Sequence, residues 1–162
     1  MDTAVYTHDT TTTRTRTEQY ATFFLDDGYF GVDVLHVQEI LRQQSMTPVP
    51  LAPDYISGLI NLRGQIVTAM DLGKKLTNRP GASKTDGMNI VVNVHDNIMS
   101  LVIDEIGDVI DVKANTIEPV PPTLKKINQK YLRGVCKLDK KLLMLLDVKT
   151  ILEDTEGLKE TL

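Results

Sequence analysis

Apolar and polar residues alternate over short stretches along most of this chain, a pattern typical of strands buried on one face. The stretches "QYATFFL" and "YFGVDV" flank the turn sequence "DDG", and "MNIVVNV" and "IMSLVID" flank "HDN". A third pair, "GVCKL" and "LLMLLD", flanks "DKK". Each pair predicts a β-hairpin, because turn residues between two alternating runs favour antiparallel pairing. The chain is therefore predicted to be mostly β.

Helical patterns are few and short. They predict helices at "VLHVQEIL" near residue 34, "PDYIS" near 53, "DLGKKL" at 71 and "DVKTILED" at 147. Asp71 and Asp147 are predicted N-caps of the last two, because an aspartate side chain accepts hydrogen bonds from the free N–H groups of a first turn.

The ends and two internal segments lack this patterning. The threonine-rich residues 1–18 are predicted to be a disordered tail, since they contain too little apolar surface to offset the entropy of ordering. Residues 155–162 are interpreted as a C-terminal tail. The segments 77–87 and 118–130 are polar or proline-rich and are predicted to be loops.

An internal repeat organises the chain. Residues 55–76 align without a gap on 131–152, with Tyr55 over Tyr131, Gly58 over Gly134 and Asp71 over Asp147. Residues 22–41 also align on 91–110. The sequence thus predicts two copies of one small β unit, at about 19–85 and 86–154, with exchange of strands between them. Closing each unit into a barrel would remove exposed sheet edges.

Arg63 interrupts the apolar run "GLINLRGQIVTAMDL". The repeat aligns it with Asp139 at a hairpin turn, so that its charge can leave the core. Two interpretations remain open: a solvated turn arginine, or a recognition residue held beside a carboxylate.

Composition and charge exclude several classes of protein. With 22 acidic and 18 basic residues the formal net charge is −4, which gives no basic surface for nucleic acid. A single cysteine and the lack of a signal-peptide pattern predict a cytosolic protein. No apolar segment approaches the roughly 20 residues that cross a bilayer, so we expect no direct membrane insertion.

Catalytic and ligand-binding patterns are missing from the sequence. No nucleophile elbow or phosphate-binding glycine loop occurs, and the histidines and Cys136 are not spaced as metal ligands. We therefore predict no catalytic residues, no metal and no cofactor, and expect a binding module instead.

The motifs "VDVLHVQEIL", "YISGLINLRGQIV…MDL" and "YLRGV…LLMLLDV" resemble bacterial chemotaxis coupling proteins of the CheW type. The resemblance runs from about residue 19 to 154. It implies an all-β fold of two intertwined SH3-like five-stranded barrels with short helices, in agreement with the repeat. It also implies a protein without catalytic activity, cytoplasmic and recruited to membrane-associated receptor arrays.

The resemblance further implies two partners. These are the cytoplasmic hairpin tip of chemoreceptors and the regulatory domain of the histidine kinase CheA, between which the adaptor is placed in signalling arrays. Glu39 and Arg63 match a charged pair at the groove and kinase-facing surface. The positions that match the apolar receptor-binding groove are Val37, Gly58, Ile66, Met88, Ser100, Ile106 and Gly134.

The sequence bears on three rival functions. A histidine kinase would need an ATP-binding glycine box and a phosphoacceptor domain, for which the chain is too short. A generic small-barrel module for peptides or oligosaccharides predicts an aromatic platform, whereas tryptophan is absent. A coupling module of another chemosensory pathway, such as pilus motility, has the same fold and stays open.

Overall fold

The structure is a computed structural model and describes residues 16–77 and 87–161. The strands of the first half are β1 (Thr17–Leu25), β2 (Gly28–Asp33), β3 (Val37–Arg42), β4 (Ile56–Leu62) and β5 (Gln65–Asp71). Those of the second half are β6 (Met88–Val94), β7 (Asn97–Ile103), β8 (Glu105–Lys113), β9 (Leu132–Lys137) and β10 (Leu142–Leu146). Helix α1 (Leu72–Thr77) follows β5, and α2 (Val148–Thr161) follows β10. One-turn 3-10 helices occupy Val34–His36, Ala114–Thr116 and Gln129–Tyr131.

The ten strands form two five-stranded sheets. Barrel 1 has the order β8-β1-β2-β10-β9, and barrel 2 has the order β3-β6-β7-β5-β4. Each takes the first two strands of one half of the chain and the last three of the other, so the halves are intertwined. The segments after β3 and β8 bridge back to β4 and β9, at Thr47–Leu59 and Glu118–Val135. The predicted fold class is confirmed.

The aligned segments of the repeat occupy equivalent places in the two barrels. Strands β1, β2 and β3 correspond to β6, β7 and β8, while β4 and β5 correspond to β9 and β10. The parallel pairs correspond as well, since β2 pairs with β10 and β7 with β5. A sequence offset of 69 or 76 residues therefore relates each strand to its counterpart.

Both helices of the repeat begin as predicted. The Oδ1 atom of Asp71 accepts the N–H of Lys74 at 3.1 Å, and Oδ1 of Asp147 accepts the N–H of Thr150 at 3.0 Å. These bonds satisfy N–H groups that the first turn leaves unpaired. The N-cap predictions are confirmed.

The other two predicted helices are wrong. "VLHVQEIL" forms one 3-10 turn and then enters strand β3, along which burial alternates with period two. Pairing of β3 with β6 overrides the local helical pattern. "PDYIS" is a turn that leads into β4 at Ile56. Two terminal boundaries also shift: β1 begins at Thr17, and α2 continues to Thr161, beyond the tail boundary at residue 154. Residues 1–15 of the predicted N-terminal tail and residues 78–86 of the predicted 77–87 loop lie outside the described residues.

Three apolar clusters account for the packing of the described residues. The largest, here called the shared core, lies between the barrels and contains residues of both, among them Phe23, Phe30, Ile90, Leu101 and Ile151. Barrel 2 encloses a small cluster around Ile60, Val67 and Val102, and barrel 1 another around Tyr20, Cys136 and Leu143. Each sheet thus buries both faces: one within its own barrel, the other against its neighbour.

Candidate functional site

Arg63 lies in a two-residue turn between β4 and β5. Both turn residues have positive φ, 53° at Arg63 and 87° at Gly64, the backbone geometry that matches the twist of a tight hairpin. The N–H of Gly64 donates to Oδ1 of Asn61 at 2.8 Å, which fixes the turn. The turn holds the guanidinium outside the barrel, as the repeat alignment predicted.

The guanidinium of Arg63 forms a two-pronged ion pair with Glu39. Nη1 donates to Oε2 at 2.5 Å and Nη2 donates to Oε1 at 2.7 Å. Glu39 belongs to β3 and Arg63 to the β4–β5 turn, and β3 and β4 are the two edges of barrel 2. The pair therefore spans the seam where barrel 2 closes.

This ion pair faces solvent mainly through the arginine. The Arg63 side chain is 71% exposed, whereas that of Glu39 is 18% exposed. Hydrogen bonding to Arg63 holds the pKa of the Glu39 carboxyl below its usual range and outweighs desolvation, which acts in the opposite direction. The same bonds raise the pKa of Arg63. Exposed pairs contribute little to folding, but a carboxylate-bound guanidinium is well placed to orient a partner.

Three of the groove positions pack against the shared core. Val37, Met88 and Ile106 are half-buried and pack on that one cluster, from β3, β6 and β8. Val37 and Ile106 are counterparts in the repeat, and they pair across their strands with Val92 and Phe23. We call Val37, Met88 and Ile106 the apolar strip. Its members come from both barrels and keep part of their surface exposed.

Ile66 is separate from the strip. Its side chain is 63% exposed and belongs to none of the three clusters of described residues. Ile66 lies at the exposed start of β5, before the buried part of that strand. Its cross-strand partner is Asn61. Ile66 is thus an exposed aliphatic residue next to the Arg63 turn.

Ser100, Gly58 and Gly134 are buried and offer no side-chain surface for a partner. Ser100 is completely buried inside barrel 2, where its Oγ accepts a hydrogen bond from Nδ2 of Asn89 at 2.7 Å. A Cβ at Gly58 would lie 2.7 Å from the carbonyl oxygen of Thr47, and one at Gly134 would lie 2.8 Å from that of Glu118. The expectation that these three side chains line an exposed groove does not fit their positions. The glycines instead allow the closing bridges of the barrels.

Sequence reasoning missed two exposed residues on equivalent edge strands. Ile40 of β3 and Val109 of β8 are large apolar side chains with 38% and 56% of their surface exposed. They align in the repeat, but alignment alone does not tell which face of a strand points outward. Their exposure depends on the register breaks in β3 and β8, which lie just before them.

Within 16–77 and 87–161, no cluster of three or more histidine, cysteine or acidic side chains is arranged to bind a metal ion. None of the helices in these ranges has the length and apolar character to cross a membrane.

Comparison with known proteins agrees with this architecture. A family model described as the CheW-like domain matches residues 19–156. The chemotaxis protein CheW of Treponema pallidum is 30% identical over 142 residues, which cover 85% of this chain and 84% of that protein. The chemotaxis protein CheW of Klebsiella aerogenes is 31% identical over 139 residues, with 86% and 84% coverage.

A solved structure gives the same result in three dimensions. The crystal structure of the scaffolding protein TtCheW from Thermoanaerobacter tengcongensis superposes with a TM-score of 0.74 at 30% identity, over 82% of this chain and 90% of that one. The fold and the site therefore define a two-barrel protein of the chemotaxis scaffold class. The chain belongs to the CheW-like family.

Proposed function

We propose that this chain is a non-enzymatic chemotaxis adaptor that couples the cytoplasmic hairpin tips of chemoreceptors to the histidine kinase CheA. The observation that carries the proposal is the apolar strip, whose half-buried side chains come from both barrels, together with a paired, solvent-facing arginine on barrel 2. Glu39 follows Val37 by two residues on β3, across the register break of that strand. Val37 pairs with Val92 of the shared core, whereas Glu39 pairs with Val91 inside barrel 2.

The receptor tip is the proposed occupant of the strip. An amphipathic helix can place its apolar face on half-buried aliphatic side chains while charged residues at the border fix its orientation. Exposed apolar surface that is bordered by polar groups is typical of such contacts. The regulatory domain of CheA is the second proposed partner, with Glu39 and Arg63 at the shared boundary. Binding to both would recruit the protein to membrane-associated receptor arrays.

The receptor part of the proposal is tested by titration calorimetry with a receptor-tip fragment. Val37→Lys and Ile106→Lys should each weaken binding about tenfold or more, because a lysine would be desolvated against the strip. Leu35→Lys is the matched control, since Leu35 is an exposed apolar residue that lies outside the strip. Melting temperatures of all variants show whether the fold is kept. Equal binding by the wild type and both strip variants would contradict the proposal.

The proposed lack of catalysis has its own test. Purified protein incubated with radiolabelled ATP should release no phosphate. After incubation with active kinase and the same ATP, it should retain no radiolabel. Retained label would show a phosphoacceptor site and contradict the proposed lack of catalysis.

A further inference from the structure

A lysine lies between two tyrosines that the repeat makes equivalent. The Nζ atom of Lys75 is 4.0 Å from the ring centre of Tyr55 and 5.1 Å from that of Tyr131. Both distances are within the range in which an ammonium group is attracted by the negative face of an aromatic ring. We call these three residues the tyrosine–lysine clamp.

Each tyrosine is fixed at the same point of its own barrel. The carbonyl oxygen of Tyr55 accepts the N–H of Asp71 at 2.7 Å, and that of Tyr131 accepts the N–H of Asp147 at 2.8 Å. Tyr55 precedes β4 of barrel 2 and Tyr131 precedes β9 of barrel 1. Lys75 belongs to α1, which follows β5 of barrel 2. Its contact with Tyr131 therefore joins barrel 2 to barrel 1.

The clamp is not duplicated by the repeat. The counterpart of Lys75 in α2 is Ile151, which is completely buried in the shared core. Lys75 is thus the cation that both tyrosines share, while Nζ of Lys130 also lies 5.1 Å from the ring centre of Tyr131. A second tie supports the same contact, since the carbonyl of Leu76 at the end of α1 accepts the N–H of Asn128 at 2.8 Å, in the segment that leads to barrel 1.

Tyr131 is held more firmly than a packed ring alone would be. Its hydroxyl donates to Oδ2 of Asp154 at 2.6 Å, and Nζ of Lys130 contacts the same oxygen at 2.9 Å. The hydrogen bond to a carboxylate increases the electron density of the ring and with it the attraction for Lys75. The position of the ring is thereby fixed relative to α2.

The clamp and the apolar strip share one core. Tyr131 is a member of the shared core, and Tyr55, Val37, Met88 and Ile106 all pack against it. We propose that Lys75 is a positioning residue, which sets the angle between the barrels and with it the shape of the apolar strip. The link to receptor affinity rests on the function proposed above, whereas the effect on barrel geometry does not.

The experiment compares Lys75→Met with Lys75→Arg. Methionine keeps the length of the side chain without its charge, while arginine keeps the charge and also stacks on aromatic rings. Spin labels at the exposed residues Gln65 of barrel 2 and Lys140 of barrel 1, in a Cys136→Ala background, report the distance between the barrels. Calorimetry with the receptor-tip fragment measures receptor affinity and thereby detects a change in the apolar strip.

Lys75→Met should shift or broaden the label distance and weaken receptor binding between about twofold and about thirtyfold, the range that one such contact can supply. Lys75→Arg should keep both the label distance and the receptor affinity close to the wild-type values. If Lys75→Met does not fold, Tyr55→Leu serves as the second variant, with the same expected shift. An unchanged label distance in a folded variant would overturn the proposal, even if the melting temperature falls. If the wild type does not bind the receptor tip, the proposed function fails, and the label distance still decides the role of the clamp.

Discussion

The two barrels have the same topology and register but different charges at the seam where each closes. In barrel 2 the seam carries Arg63 and Glu39, joined by two hydrogen bonds. The counterparts in barrel 1 are Asp139 and Asp108, two carboxylates that cannot form an ion pair with each other. Closure of the barrel therefore does not require the pair. The difference suggests that the Arg63–Glu39 pair serves recognition. What the two barrels share is the backbone arrangement, that is, their strand topology and register.

The interiors of the two barrels differ at two packed positions, and the changes in side-chain size at these positions balance each other. Barrel 1 places Tyr20 where barrel 2 has Asn89, and Gly31 where barrel 2 has Ser100. Tyr20 fills the space that Gly31 leaves, and its hydroxyl donates to Oε1 of Glu18 at 2.7 Å while Arg133 donates to it. Burial and the bond to Glu18 raise the pKa of the Tyr20 hydroxyl. A large and a small residue in one barrel thus replace two medium residues in the other.

The largest effect is expected from disturbing this compensation. Tyr20→Asn should lower the free energy of unfolding by about 3–5 kcal/mol, because it removes a completely buried ring and leaves a cavity. Urea denaturation measures the loss. The double variant Tyr20→Asn with Gly31→Ser, which copies barrel 2, should recover part of it. A single variant as stable as the wild type would show that the interiors are not packed as described.

The closing bridges predict the next effect. Gly58→Ala and Gly134→Ala should each cost about 1–3 kcal/mol, because the new Cβ meets a carbonyl oxygen of the bridging segment. Gly58 should be the more sensitive, since its φ of 153° also disfavours a side chain. Gly64→Ala is the control in urea denaturation, because it has positive φ but open space around it. A loss at Gly134 no larger than that of an ordinary surface substitution would contradict the steric explanation.

The loops before β4 and β9 give a smaller contrast. "TPVPL" at 47–51 resembles "EPVPP" at 118–122, yet Val120 and Leu124 of the second loop pack on the shared core while Leu51 is fully exposed. Leu51 also has a φ of 66°. Leu51→Asn should raise the free energy of unfolding by up to about 1 kcal/mol, because asparagine tolerates this backbone conformation better. Leu35→Asn, at an exposed leucine without positive φ, should show no gain. Urea denaturation of both variants measures the difference.

The hydrogen bond between Tyr131 and Asp154 predicts a pH effect. The Tyr131 hydroxyl, followed by Lys130, holds the pKa of the Asp154 carboxyl below its usual range. A depressed pKa stabilises the folded state above the unfolded-state pKa, and this contribution is lost as pH falls through the folded value. Tyr131→Phe should raise the pKa of Asp154 in a carboxyl NMR titration. An unchanged titration would mean that the hydroxyl does not contact Asp154 in solution.

How far the sequence predicts this molecule depends on which interactions decide each feature. The hairpins and the helix caps at Asp71 and Asp147 rest on local chemistry, and the turn at Arg63 followed from the repeat alignment, so all of them were predictable. The segment 34–41 was misassigned as a helix because pairing with β6, which is distant in sequence, decides its conformation.

The residues of the candidate site also divide into those that the sequence predicts and those whose positions depend on contacts distant in sequence. The Arg63–Glu39 pair followed from the family resemblance and from the position of the turn, and its geometry is present. Ser100 is buried because β7 is the central strand of barrel 2. The exposure of Ile40 and Val109 depends on register breaks that no local pattern reveals. The contact of Lys75 with Tyr131 joins residues 56 positions apart in different barrels, so only the folded structure brings them together.

The clearest experiment tests whether the charged pair at the seam of barrel 2 serves recognition. Arg63→Asp gives barrel 2 the acidic turn of barrel 1, and Arg63→Lys is the control that keeps the charge without the two-pronged geometry. Co-sedimentation of the protein with a receptor-tip fragment and the kinase regulatory domain measures assembly, and thermal melting measures folding. We expect Arg63→Asp to melt close to the wild type while assembly weakens at least about tenfold, because like charges at the border repel and misorient the partners. Unchanged assembly with Arg63→Asp would contradict the claim.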